Sequence, residues 1–187
     1  MDTRDLSLTA IFAGLYAVIN VVQTMLGGPI TYGPVQLRVA DCLLSLSPLM
    51  GWPVVFGVTL GCFVSNVYYL PGLYSAFGAI VFIDVLFGPV TNFIAASFML
   101  FLRKRRFLAC VVGALLVGTI VGGYLWVLFL PHEVLGFLPV WAASIASISI
   151  SSLIVIAGIG YSLLTILSSL GIIEPLKSRG LKVLTED

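Results

Sequence analysis

Charged residues and glycine or proline breaks divide the sequence into six apolar segments. An α-helix needs roughly 20 mainly apolar residues to cross the hydrocarbon core of a bilayer. The segments lie at about 7–26, 35–50, 52–69, 76–102, 107–130 and 138–171. The second and third are short and meet near Pro53, which can open a new helix. This pattern predicts an all-α integral membrane protein of six transmembrane helices, with residues 1–187 forming one transmembrane domain.

The composition favours the same class of protein. The chain is 60% hydrophobic and 9% charged, with a mean hydropathy of +1.16, whereas soluble domains carry about 25% charged residues. The formal net charge of +1 gives no indication of a nucleic-acid partner. The cysteines Cys42, Cys62 and Cys110 are dispersed in apolar segments rather than set at metal-ligand spacing, so we interpret them as small hydrophobic residues and predict no metal or cofactor.

The first segment is interpreted as a span rather than a cleaved signal peptide. The start MDTRD carries no net positive charge, and Asn20 and Gln23 interrupt the apolar run that follows. A signal peptide has a basic start, a short uninterrupted apolar run and a small-residue cleavage site.

The positions of lysine and arginine predict the orientation, because cytoplasmic loops are enriched in both. Apart from Arg38, these residues precede the first segment, separate the fourth from the fifth and follow the sixth; they are Arg4, Arg103, Lys104, Arg105, Arg106, Lys177, Arg179 and Lys182. The alternate connections, near 27–34, 70–75 and 131–137, contain neither lysine nor arginine. Both termini are therefore predicted to be cytoplasmic.

With this orientation, the polar residues inside the segments gather toward the outer side. Arg38 and Asp41 lie near the outer end of the second segment, Asn66 near that of the third, and Asp84 about two turns into the fourth. A charged residue at the centre of a spanning helix costs about 2.5–3.5 kcal/mol, so such residues face protein or water. Arg38 and Asp41 can pair at i, i+3, whereas Asp84 needs either Arg38 from another helix or a ligand. We therefore expect a polar cavity open to the outside.

Three further features bear on this cavity: a proline, which has one interpretation, and a set of serines and a pair of tryptophans, which have two each. Pro89 leaves a helical carbonyl unpaired close to Asp84 and is expected to bend the fourth helix. The hydroxyls of the sixth segment, Ser144, Ser147 and Ser151, follow i, i+3, i+7 and either face the cavity or serve helix packing. Trp126 and Trp141 either edge the cavity or belong to the aromatic belt at the membrane interface.

Two stretches, YGPVQLRVAD at 32–41 and DVLFG at 84–88, resemble the QueT-like family of queuosine-precursor transporters. Members of that family usually have a glutamate at the position of Asp41. The resemblance implies a substrate-binding S component of an energy-coupling factor (ECF) importer, a six-helix protein of the prokaryotic plasma membrane. Its partners would be a transmembrane T component and two cytoplasmic ATPases; this chain has no G-x-x-x-x-G-K-[ST] motif of its own.

Small residues on the first segment form a possible docking face for the T component. Ala10, Ala13, Gly14 and Ala17 follow i, i+3, i+4, i+7, and such a face lets another helix approach closely. The resemblance implies that Ala13 and Ala17 match the A-x-x-x-A element with which S components contact the T component. The alternative is packing against helices of this chain.

A 7-deazaguanine base would suit the expected cavity. A carboxylate, from Asp84 or Glu133, can accept its N–H edge, and its carbonyl needs a donor. The donor candidates are Gln36, Arg38 and Asn66; those for stacking on the ring are Trp126, Trp141 and Tyr68.

Other functions are open alternatives. They are an S component for another vitamin-like molecule, a stand-alone secondary transporter, a membrane enzyme and a structural subunit. Clear repeat halves, which favour a secondary transporter, are absent. His132 is the sole histidine and precedes Glu133, but Gly136 stands where H-E-x-x-H needs its second histidine. We therefore predict a protein that is not an enzyme.

Overall fold

The computed structural model describes residues 2–27, 31, 36–126, 139–169, 173–174 and 184, and every regular element among them is helical. The elements in chain order are α1 (Thr3–Gly27), a 3-10 helix (Val39–Leu46), α2 (Ser47–Met50), α3 (Trp52–Phe77), a 3-10 turn (Gly78–Val81), α4 (Phe82–Phe101), α5 (Arg106–Leu125), α6 (Val140–Ser152), a π-helix (Leu153–Gly160) and α7 (Tyr161–Leu167). The last three follow one another without a break and form one rod.

Five helices are long and apolar enough to cross a membrane. They are α1, Trp52–Gly72 of α3, α4, α5 and the rod Val140–Leu167. This confirms the predicted all-α class and five of the six predicted apolar spans.

The second predicted span, over 35–50, is wrong as a membrane-spanning α-helix. Val39–Met50 is a 3-10 helix followed by one turn of α-helix, and at about 2.0 and 1.5 Å per residue it covers roughly 22 Å, less than the roughly 30 Å of a hydrocarbon core. Every residue from Ala40 to Leu49 is buried. Because protein rather than lipid surrounds this segment, its backbone does not need the regular α-helical bonding that lipid exposure demands.

The boundary between the third and fourth spans also differs from the prediction. We expected a connection near 70–75, but α3 continues through Pro71 to Phe77, and α4 begins at Phe82 instead of near 76. Proline removes one helical hydrogen bond without always ending a membrane helix. Gly78 ends α3 instead, because its φ of 70° lies in the left-handed region that glycine favours.

Two G-x-x-x-G pairs hold neighbouring helices together. A Cβ atom added to Gly57 or Gly61 of α3 would lie 2.6 Å from an atom of α1, and one added to Gly122 of α5 would lie 2.6 Å from the Cα atom of Ile145 in α6. Gly118, one turn earlier, meets Ser149 in the same way. Only glycine permits so close an approach of two helix backbones.

The α5–α6 contact gives a first testable prediction. Gly122→Ala should lower the free energy of unfolding by about 1–3 kcal/mol, because the added methyl group meets backbone rather than a mobile side chain. Alanine's higher helix propensity works against this loss. The measurement is the thermal unfolding midpoint of the purified protein in detergent.

The control is the adjacent residue, Gly123→Ala, since an added Cβ there has nothing within 4 Å. It should leave the midpoint unchanged or raise it. Equal midpoints for the two variants would contradict the close α5–α6 packing.

Candidate functional site

A buried polar cluster lies at one end of the helices. Asp84 is in the first turn of α4, Tyr124 is in the last turn of α5, and Arg38 immediately precedes the 3-10 helix. The basic run 103–106 follows the opposite end of α4, roughly 25 Å from Asp84 at 1.5 Å per helical residue. The cluster and the basic run are therefore separated by most of the length of a spanning helix.

The centre of the cluster is an ion pair between Arg38 and Asp84. The Arg38 Nη2 atom lies 3.1 Å from Oδ2 and 3.5 Å from Oδ1 of Asp84, and the two side chains are 6% and 4% exposed. The Tyr124 hydroxyl donates to Asp84 Oδ1 at 2.7 Å, and Arg38 Nε donates to the carbonyl of Thr31 at 3.5 Å. Of the two partners expected for Asp84, the structure thus shows Arg38, which reaches it from another segment.

Asp41 is bonded by a tyrosine, which an asparagine contacts in turn. The Tyr16 hydroxyl, from α1, donates to Asp41 Oδ1 at 2.6 Å. The Asn92 amide, from α4, donates to the Tyr16 hydroxyl at 3.0 Å. All three side chains are buried, so the carboxylate is held by the tyrosine of one helix and, through it, by the asparagine of another.

Gln23 fixes the backbone on both sides of Arg38. Its amide nitrogen donates to the Leu37 carbonyl, and its amide oxygen accepts from the Val39 N–H at 2.8 Å. Residues 36–38 are not helical, so their backbone groups need partners of this kind. Gln23, on α1, thereby fixes the position of the backbone from which the Arg38 side chain extends.

Asn66 supports Asp84 from α3. Its amide donates to the backbone carbonyl of Asp84 at 3.0 Å. A Cβ added to Gly88 would lie 2.8 Å from this amide nitrogen and 3.8 Å from Arg38 Nη1. The glycine in the DVLFG stretch therefore leaves room for the asparagine and the arginine.

A small cavity adjoins the cluster. Its polar wall comprises Gln36, Arg38, Asp41 and Asn92, with Ser151 and Ser152 of α6; its apolar wall comprises Val117, Val121, Ile148 and Val155. The volume of about 10 Å³ admits roughly one water molecule. A fused two-ring base would enter only if the lining elements moved apart. Val155 lies in the π-helix, a distortion that is often found at functional sites.

The remaining predicted residues lie elsewhere. Trp141 is 53% and Tyr68 57% exposed, and Trp126 is partly buried with its indole N–H donating to the Gly123 carbonyl at 2.9 Å. None of the three lines the cavity as described. Glu133 falls outside the described residues. Among the described residues, no group of three His, Cys, Asp or Glu side chains could hold a metal ion.

Two tyrosines of the cluster were missed by the sequence reasoning. Tyr16 and Tyr124 stand among apolar residues of α1 and α5, where a buried hydroxyl usually has a partner. The need of a buried tyrosine hydroxyl for a hydrogen-bond partner was the available signal for both residues, although it does not identify that partner.

The small residues of α1 divide between two environments. Ala10 and Gly14 are exposed, and a Cβ added to Gly14 has nothing within 4 Å. Ala13 and Ala17 are partly buried, and the Ala13 backbone lies against Gly61 of α3. Ala13 thus takes part in packing within the chain, whereas Ala10 and Gly14 lie on the exposed side of α1.

Comparison with protein families identifies the family of this chain. The family described as QueT transporter matches residues 6–169, which is most of the chain. Comparison with curated proteins gave no match, and comparison with solved structures gave none.

Proposed function

Since the chain belongs to the QueT transporter family, we propose that it is the substrate-binding S component of an ECF importer and that it captures a queuosine precursor outside the cell. The precursor would be a 7-deazaguanine base. The observation that carries this proposal, beside family membership, is the buried charged cluster next to a cavity at the end of α4 remote from the basic run 103–106.

The position of the cluster supports an outward-facing site. Four consecutive basic residues at 103–106 favour the cytoplasmic side for that end of α4 and α5. The Arg38–Asp84 pair at the opposite end would then lie toward the outside. In this arrangement both termini are cytoplasmic, and the buried segment Val39–Met50, too short to span the hydrocarbon core alone, connects the two sides within the bundle.

The cavity suggests a division of roles among the proposed binding residues. Gln36 and Arg38 can donate to a base carbonyl, and Asp41 can accept from an N–H or a cation. Asp84 already accepts from Arg38 and Tyr124, so we assign it the role of positioning the guanidinium. Asn66 holds Asp84 through its carbonyl.

Three further residues keep the ligand-binding roles predicted from the sequence, although none of them is among the described residues that line the cavity. Trp126, Glu133 and Trp141 flank or occupy the stretch between α5 and α6. Indole rings there could stack on a base, and Glu133 could accept its N–H edge.

Import would need partners. A docked T component and two cytoplasmic ATPases would reorient the loaded S component, with the exposed part of α1 as the docking face. Only 22% of the apolar window of α1 is buried within the chain, which leaves much of this helix open to lipid or to another subunit.

Ligand binding tests the proposal directly. The full chain, purified without ATPases, should bind a 7-deazaguanine base saturably at one site in calorimetry, while riboflavin, thiamine and biotin should not bind. Mass spectrometry of the protein as purified should detect the same class of base. Binding of a vitamin instead would reassign the substrate, and no binding to any compound would remove the S-component assignment. Uptake into vesicles by this chain alone would favour a secondary transporter.

A further inference from the structure

Four aromatic rings form one exposed patch at the end of the helices that carries the basic run. We call it the aromatic face; it consists of Trp52 and Phe56 on α3 with Phe93 and Phe101 on α4. The Trp52 ring centroid lies 5.8 Å from that of Phe56 and 6.4 Å from that of each of the other two rings. The four side chains are between 36% and 72% exposed. In a membrane protein, such a face meets lipid or another subunit.

The rings of the aromatic face lie at graded depths. Trp52 is the first residue of α3 and Phe101 the last of α4, so both stand at the helix ends. At 1.5 Å per residue, Phe56 lies about 6 Å deeper than Trp52, and Phe93 about 12 Å deeper than Phe101. Tryptophan is favoured at the level of the lipid headgroups, and phenylalanine is favoured in the hydrocarbon beneath. The face therefore follows a lipid molecule from its headgroup into its acyl chains.

Exposed positive charges adjoin the outer edge of this face. The basic turn, as we call it, consists of Arg103, Lys104 and Arg105, which are exposed and lie two to four residues beyond Phe101. Two backbone hydrogen bonds shape the turn, from Arg103 N–H to the Leu100 carbonyl at 3.3 Å and from Arg105 N–H to the Leu102 carbonyl at 2.9 Å. The sequence has no aspartate or glutamate between positions 85 and 132. These helices and their turn thus present a local excess of positive charge beside aromatic rings.

We propose that the aromatic face and the basic turn together bind one anionic phospholipid of the adjoining leaflet. Its phosphate lies at the basic turn, where arginine can bind it with two parallel hydrogen bonds. An acyl chain lies along Phe56 and Phe93. A phospholipid complements both parts at once, because it joins a negative headgroup to hydrocarbon. In the proposed orientation this leaflet is the cytoplasmic one, whose anionic lipids attract basic residues beside a membrane helix. The inference does not depend on which substrate is imported.

Trp52 serves as the reporter of this lipid. The chain has three tryptophans, and Trp126 and Trp141 belong to the opposite end of α5 and to the start of α6. The full chain with Trp126→Phe and Trp141→Phe would be reconstituted into phosphatidylcholine vesicles. Bromine-labelled phosphatidylglycerol or bromine-labelled phosphatidylcholine would then be added at increasing mole fraction. Half of the Trp52 fluorescence should be quenched at an about 10-fold lower mole fraction of the anionic lipid.

Equal quenching by the two lipids would overturn the inference, because the rings would then be an ordinary aromatic belt. Quenching by neither lipid would also overturn it, and would show that the face is covered by protein. Either result leaves the proposed function intact.

Arg103→Gln tests the contribution of the basic turn. Loss of one charge near an anionic headgroup should lower the preference for phosphatidylglycerol by about fivefold. Arg4→Gln is the matched control, because it removes one exposed positive charge from the start of α1. It should leave the preference unchanged within about 1.5-fold. Equal losses in the two variants would show a general attraction between charges and contradict a site at the aromatic face.

Salt provides a second measurement that needs no further variant. Raising the ionic strength from about 0.1 M to about 1 M shortens the Debye length from roughly 10 Å to roughly 3 Å. The preference for the anionic lipid should therefore fall at least threefold, while quenching by phosphatidylcholine stays constant. A preference that did not change with salt would contradict binding of the phosphate by the basic turn.

Discussion

Arg38→Met is expected to lower the free energy of unfolding by about 3–5 kcal/mol, the range measured when one partner of a buried ion pair is removed. The loss should exceed that of Asp84→Asn, which we place at about 1–2 kcal/mol. Without Arg38 the buried cluster carries two carboxylates and no guanidinium, a formal charge of −2. With asparagine at position 84, Arg38 and Asp41 remain and their charges balance.

Chemical unfolding of the purified variants in one detergent measures this difference. Arg105→Met is the control, because Arg105 is exposed and its loss should change stability by less than about 0.5 kcal/mol. The double variant Arg38→Met, Asp84→Leu should recover much of the stability, since a buried pair can be replaced by apolar residues of similar volume. It should not recover ligand binding. Equal losses in Arg38→Met and Asp84→Asn would contradict the expectation that the buried formal charge decides the stability of these variants.

Much of the architecture could be predicted from the sequence because lipid imposes a simple rule. A chain segment in contact with lipid must satisfy its own backbone hydrogen bonds over about 20 residues, and such segments are visible as apolar runs. This rule identified five spans. The rule failed for Val39–Met50, which protein surrounds. A segment buried by neighbouring helices and a segment buried by lipid are both apolar, so their sequences look alike.

The candidate site could be predicted only in part, for a related reason. Charged residues in an apolar run are conspicuous, so Arg38, Asp41 and Asp84 were identified as a group. The identity of their partners depends on how helices rotate and pack, which one sequence does not encode locally. The bond from Tyr16 to Asp41 joins residues 25 apart, and that from Tyr124 to Asp84 joins residues 40 apart.

Gly14→Leu is expected to abolish association with the T component while preserving ligand binding. Gly14 lies on the exposed side of α1, and an added Cβ meets nothing within 4 Å. A leucine there should not disturb the fold, and its helix propensity is higher than that of glycine. On a face where another helix must approach closely, however, the same side chain separates the two backbones. We expect at least a tenfold loss of co-purified T component and a ligand affinity unchanged within about twofold.

Gly14 is a better site for this test than Ala13, although the A-x-x-x-A resemblance names Ala13. The Ala13 backbone lies against Gly61, so a bulky residue there could loosen α1 from α3 and change ligand binding through Tyr16. Gly123→Leu is the matched control, because Gly123 is also exposed and open but lies on α5. If both variants retained the T component, docking would not involve this side of α1. If both lost it, bulk on any exposed helix would suffice, and the result would argue against a specific docking face.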